Sequence, residues 1–234
     1  MLEPQRLNET PPNQAVKITT AGVTANQISL EYSTPNGNQP ADNGNTVFLW
    51  QSGNEIPWQS ADLASQPIGM NTPSGGLSFE GLDVTTLSYI VGYAVGPKAN
   101  NESWPYGNVA ASVFIPAMGE SGESTGQPSF SAIDLSSYTT YSVTTQYTML
   151  NGANPLMAGS YVGIWEGPSA SYASPPMAVT PIQSSSSRGT ASINNITLTR
   201  GTLYTVALFV TGFNYQLPLQ SNQLRLACTH TFST

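Results

Sequence analysis

Charge is what this sequence has least of. Only 8% of its 234 residues are Asp, Glu, Lys or Arg, against about a quarter in an ordinary soluble domain, so Ser, Thr, Asn and Gln must carry its solubility. Cations are scarcer still: 6 Lys plus Arg against 13 Asp plus Glu leave a net charge of -7. A nucleic-acid binder needs a basic stripe to displace counterions from phosphates, and six scattered cations cannot build one. Anionic membrane surfaces are disfavoured for the same reason. No run approaches the roughly 18 to 20 apolar residues that span a bilayer. The opening MLEPQRLNETPPNQ also lacks the basic and apolar regions of a secretory signal peptide. The expectation is a cytoplasmic chain, a mature form, or export without such a leader.

The usual carriers of chemistry are nearly missing as well. One cysteine, Cys228, excludes an internal disulfide and leaves the redox compartment open. One histidine, His230, lies two residues on, on the same face of a strand. A metal needs three or four ligands, so no metal and no cofactor is expected, and the pair reads as a small buried thiol beside a terminal-strand histidine. A hydrolytic triad would have to use His230, and no G-x-S-x-G elbow is present. Glycine loops of phosphate-binding form are absent. Carboxylates pair at Glu80 with Asp83 and at Glu120 with Glu123, while Asp42, Glu55 and Asp62 lie in early loops. Glu120 and Glu123 fall in a solvating linker, and Asp42 with Asn43 offers no more than a weak loop-carbonyl calcium site. A carboxylate-dependent hydrolase using Glu80 and Asp83 is a remote alternative, because Asn194 and Thr197 stand at the matching places of a second copy described next. The expectation is that the chain is not an enzyme.

What the sequence does have is a repeat. At a shift of 115, Trp50 of TVFLWQSG falls on Trp165 of YVGIWEGP, and Tyr89 of LSYIVGYAV falls on Tyr204 of LYTVALFV, with one extra residue, Gly201, before the second tyrosine. The flanks agree: NQISLEYSTP and YSVTTQYTML precede the tryptophans, and GNVAASVFIP and SNQLRLACTHTF follow the tyrosines. These segments are short, alternate apolar with polar residues, favour β-branched and aromatic types, and end in Gly, Pro, Asn and Ser clusters. With 18 prolines and 21 glycines and few helical spacings, the chain is all-β.

Leu82 then Tyr89, and Ile196 then Tyr204, share one order: an apolar anchor, a bend, a tyrosine placed to bond back to backbone a few residues upstream. At FEGLDVTTLSYIVGYAV and INNITLTRGTLYTVALFV the chain resembles the fibronectin type III and immunoglobulin-like superfamily, without the disulfide of antibody domains. The resemblance implies two tandem antiparallel β-sandwich domains, with Trp50 and Trp165 buried against the opposite sheet, and adhesion, recognition or spacing roles. The expected boundaries are an N-terminal arm at 1–12, loose or docked on an edge, domain one at 13–116, a flexible linker at 117–127 and domain two at 128–234.

Loops after the two tyrosines carry matched aromatics: Trp104 and Tyr106 in GPKANNESWPYGN, Phe213 and Tyr215 in TGFNYQLPLQSN. Trp58 and Tyr172 form a second matched pair. Rings beside Asn, Gln and Ser suit a sugar platform, in which a pyranose stacks on the ring and neutral amides bond its hydroxyls. The competing reading is that the rings fold back as plugs over each sandwich or pack between domains. Asn8, Asn101 and Asn195 sit in N-x-[ST] triplets, incidental without a signal peptide. The expected function is non-enzymatic recognition of a glycan or a protein partner through Trp104, Tyr106, Phe213, Tyr215, Trp58 and Tyr172. The alternative is a structural, self-assembling protein of the spacer, surface or inclusion type, a homo-oligomer built on sheet edges poorly guarded by lysine.

Overall fold

The computed structural model describes residues 13–97, 104–119 and 122–234. The N-terminal arm 1–12, Asn8, Asn101 and Glu120 lie outside the described residues. The chain is all-β and antiparallel. In order, its first strands are β1 (Gln14–Ala15), β2 (Lys17–Val23), β3 (Gln27–Ser33), β4 (Thr46–Gln51), β5 (Ala64–Pro67), β6 (Ser74–Glu80), β7 (Tyr89–Ala94) and β8 (Val109–Ile115). There follow β9 (Gln127–Phe130), β10 (Ala132–Thr139), β11 (Ser142–Thr148), β12 (Tyr161–Glu166), β13 (Ala178–Pro181), β14 (Arg188–Asn194), β15 (Leu203–Phe209) and β16 (Leu226–Ser233). A one-turn helix α1 (Pro155–Ala158) precedes β12. No helix among the described residues is long and apolar enough to cross a membrane.

Four sheets result. Strand order β2-β3-β6 faces β5-β4-β7-β8-β9, and β10-β11-β14 faces β13-β12-β15-β16-β1, so each half is a three-stranded sheet on a five-stranded one in the same order. The central strands β7 and β15 are almost wholly buried, as near-continuous apolar runs should be. The middle strands of the three-stranded sheets, β3 and β11, alternate buried with partly or fully exposed residues along one solvated face. Trp50 and Trp165 are both buried, and each indole N–H donates to a loop carbonyl, Ser60 and Ser174, at 3.1 Å. The Tyr89 hydroxyl accepts the backbone N–H of Asp83 at 3.1 Å, and Tyr204 accepts that of Thr199 at 2.9 Å. The left-handed position at this bend is Gly81 in one half (φ 72°) and Asn195 in the other (φ 58°), one of the few side chains that tolerate that backbone.

The edge strands are exchanged between halves. β1 leads into the first half, yet pairs with β16 through Gln14↔Thr229 and Ala15↔Cys228. β9 leads into the second half, yet pairs with β8 from Ala111↔Phe130 to Phe114↔Gln127. Each crossing is pinned by one buried residue: Val16 donates its N–H to Ala227 O at 2.8 Å, and Ser131 donates to Ala110 O at 3.0 Å. The core is correspondingly shared, with one cluster of buried side chains running through both halves.

Candidate functional site

Four of the six loop aromatics are turned inward. Trp58 (8% exposed) stacks on Trp104 (9% exposed) with centroids 5.7 Å apart and planes at 10°. The Trp58 indole N–H then donates across the molecule to Asn151 O at 3.0 Å. It sits over Gly152, where a Cβ would lie 2.9 Å from the indole nitrogen and φ is +72°, so only glycine admits the ring. Tyr172 makes the mirror-image contact from the second half, its ring 3.7 Å from the Cβ position of Gly37. Its hydroxyl is buried without a hydrogen-bond partner, and burial pushes its pKa up. Tyr106, 1% exposed, stands edge-on to Phe48 and Trp50. Its hydroxyl donates to Asp62 Oδ1 at 2.6 Å and accepts the Asp62 N–H at 2.9 Å.

Arg225 completes the junction. Its guanidinium is largely buried and donates through Nη1 to Val95 O at 2.9 Å and to Pro97 O. Burial draws its pKa down to about 10, since desolvation disfavours the charged form.

Phe213 and Tyr215 go the other way. Phe213 packs partly under the loop against Tyr161, and Tyr215 meets it edge-on at 4.8 Å and 83° while remaining 62% exposed. The loop is locked by its own polar residues. Asn214 Oδ1 accepts the N–H groups of Gln216 and Leu217 at 3.0 and 3.1 Å, an Asx turn. Ser221 Oγ accepts the Asn214 N–H at 2.9 Å. Phe213 N–H donates to Gly159 O at 3.0 Å, and Thr211 Oγ1 donates to Ala158 O, which sets the loop against α1. Beyond Tyr215, large apolar side chains are exposed here, Leu217 and Leu219 on the loop and Leu156 and Met157 on α1, with Gln216 and Gln220 exposed between and beside the loop leucines. Nothing in the local sequence separated these leucines from core residues, although Pro218 between them marks a turn rather than a strand.

The remaining candidates for chemistry hold structural bonds. Asp83 accepts from Thr86 Oγ1 at 2.6 Å and Thr86 N at 3.2 Å, capping the bend, and the Thr86 side chain holds its carboxyl below the usual range. Glu80 accepts from Gln27 Nε2 at 3.2 Å. Cys228 is buried, and that burial raises its thiol pKa. His230 Nδ1 lies 2.9 Å from Asn13 Nδ2 and 3.4 Å from Asp134 Oδ1. No group of three His, Cys, Asp or Glu side chains is gathered among the described residues.

No family model matches the chain, and no curated protein matches it. Among solved structures it is similar to one described as "Biofilm associated protein - BSP domain", at 12% identity and a TM-score of 0.26. That likeness covers 82% of this chain and 26% of the other, so the chain spans about a quarter of that structure's length.

Proposed function

We propose that this protein is a non-enzymatic recognition protein of two tandem immunoglobulin/fibronectin-III-like sandwiches, which binds a partner protein through the ridge formed by Tyr215, Leu217, Leu219, Leu156 and Met157. The observation that carries the reading is that Tyr215, Leu217 and Leu219 are exposed on one hydrogen-bonded loop whose first residues bond to the end of α1, the helix on which Leu156 and Met157 are also exposed. Exposed apolar surface gathered in one region is the mark of an interaction site, and a pre-ordered loop lowers the entropy cost of binding. Aliphatic side chains suit a protein surface better than a glycan, which asks for flat rings with open faces. Support for the sandwich assignment comes from the strand order repeated in both halves and from the two corner tyrosines. The test is capture of surface proteins from the source cell by wild type and by the triple variant Tyr215→Ser, Leu217→Ser, Leu219→Ser, beside a glycan panel. Loss of a defined protein partner in the variant is the expected result. Unchanged capture sinks the reading, and glycan binding that needs Tyr215 alone would replace it with the sugar platform.

Self-assembly is the second reading. β6 and β14 are edges of the three-stranded sheets and carry no lysine, each being guarded by a single terminal charge, Glu80 and Arg188. A strict monomer in light scattering at high concentration removes it.

A further inference from the structure

The edge strands β6 and β14 are complementary to each other. Each is seven residues long, SGGLSFE and RGTASIN, and neither contains proline or lysine. They hold the same position in the two halves, at the edge of the three-stranded sheet beside β3 and beside β11. Each carries one charge, of opposite sign and at the opposite end: Glu80 is the last residue of β6 and Arg188 the first of β14. Laid antiparallel over their full length, the two strands set Glu80 opposite Arg188 and Ser74 opposite Asn194.

The backbone agrees with that register, because peptide groups along a strand point alternately to its two sides. Thr34 N–H bonds Pro73 O at 2.8 Å, so every second residue onward, Gly75, Leu77 and Phe79, turns its peptide groups to β3. Ser74, Gly76, Ser78 and Glu80 turn theirs away from it, and Ser78 O accepts from the Gln66 side chain at 2.8 Å. In the second half Met149 N–H bonds Ser187 O at 2.7 Å, so Gly189, Ala191 and Ile193 turn to β11. Arg188, Thr190, Ser192 and Asn194 turn away. With Glu80 opposite Arg188, each outward residue of β6 meets an outward residue of β14.

Side chains agree as well. On the core face Phe79 stands opposite Gly189 and Ile193 opposite Gly75, a large side chain against a missing one in both places, with Leu77 opposite Ala191 between them. The solvent face matches Gly76 with Ser192 and Ser78 with Thr190, small and polar throughout. Pairing either strand with its own copy over the full length loses the charge match, since Glu80 then faces Ser74 and Arg188 faces Asn194. Opposite charges directly across a ladder stabilise it, and like charges destabilise it. Glu80 uses Oε1 to accept from Gln27 on β3, and a carboxylate has a second oxygen to offer Arg188.

We propose that a second copy of this chain docks here, the β6 edge of one copy pairing antiparallel with the β14 edge of the next in the Glu80–Arg188 register. The proposal rests on the self-assembly reading and gives it an interface. The sheet β2-β3-β6 then continues into β14-β11-β10 of the next copy. Because the two surfaces differ, the contact is heterologous: it leaves a β14 edge at one end and a β6 edge at the other, and copies add head to tail.

The test is the mean mass of the full chain against concentration, by sedimentation and light scattering. For the wild type it should rise steadily. Glu80→Arg and Arg188→Glu, both at exposed positions, each set like charges opposite one another and should need about tenfold more protein to assemble. An equimolar mixture of the two variants should restore assembly, because the altered strand of each then faces the altered strand of the other, a rescue that only folded variants can give. A wild type that stays monomeric overturns the proposal together with the self-assembly reading. Assembly that survives both reversals, or a mixture without rescue, overturns this pairing and leaves self-assembly to another surface. A mass that levels off at a dimer overturns the head-to-tail contact.

Discussion

In the first half, Asn108 donates its side-chain N–H groups to Gly96 O and Pro97 O at 3.1 Å and so satisfies its own loop. In the second half the matching position is Arg225, whose longer side chain leaves its own half and bonds Val95 O and Pro97 O of the other. The backbone around both residues is alike, with Val95 N–H bonding Asn108 O at 3.0 Å and Val210 N–H bonding Arg225 O at 3.1 Å. One substitution on a repeated scaffold thus separates a self-contained loop from a clamp. Exposure divides the same way. Of the eleven large apolar side chains exposed among the described residues, only Leu63 and Met70 come from residues 13–116. The frame is repeated, and most of the exposed apolar side chains lie beyond residue 116, on strands, on α1 and on loops alike.

The strongest way to break this comparison is to empty one core at a time. Trp50→Ala and Trp165→Ala should each cost about 3 to 5 kcal/mol. Because the halves share strands and a core, urea unfolding should stay a single transition in both variants. A second transition sparing the untouched half would show that the halves are independent. Next in size is Arg225→Asn, which makes the second half resemble the first and takes a charged donor from Val95 O and Pro97 O, leaving them the weaker neutral bonds from Asn108 at 3.4 and 3.1 Å. A loss of about 2 to 3 kcal/mol is expected in the same assay, and a neutral result would remove the clamp.

Smaller effects sharpen the parallel between the halves. Gly152→Ala meets both a left-handed backbone and the Trp58 indole, whereas Gly37→Ala meets only the backbone, with Tyr172 at ordinary contact distance. Thermal melts should give Gly37→Ala a cost of about 1 to 2 kcal/mol and Gly152→Ala a clearly larger one. Equal costs would mean that Trp58 yields freely. Tyr89→Phe and Tyr204→Phe each lose one bond to backbone, about 1 kcal/mol apiece, and calorimetry should find them matched.

Much of the frame was legible because its signals are local. Trp50, Trp165, Tyr89 and Tyr204 mark strands whose alternation and turn residues lie within a few positions. The exchange was not legible, since β1 is two residues long and β9 is exposed at all four of its residues, so neither shows a face that names its partner. The loop rings were ambiguous for a related reason: an aromatic beside Asn and Ser looks the same whether solvent or another half lies opposite. The deciding signal sat elsewhere in the sequence, in Gly37 and Gly152, two left-handed glycines at the 115-residue shift that lie against Tyr172 and Trp58, the second because only a missing side chain admits the indole. The exposed loop at Tyr215 was legible only in its aromatic member, because Leu217 and Leu219 read as core residues in the sequence and only the turn at Pro218–Gln220 turns them outward.

The exchanged strands also impose a timetable on synthesis. β9 leaves the ribosome just after β8, so the first half can complete its sheet at once. β1 is made first and must wait 215 residues, from Gln14 to Thr229, before its partner exists. At roughly 5 to 20 residues per second, Gln14 and Ala15 stand unpaired for about 10 to 40 s in every newborn chain.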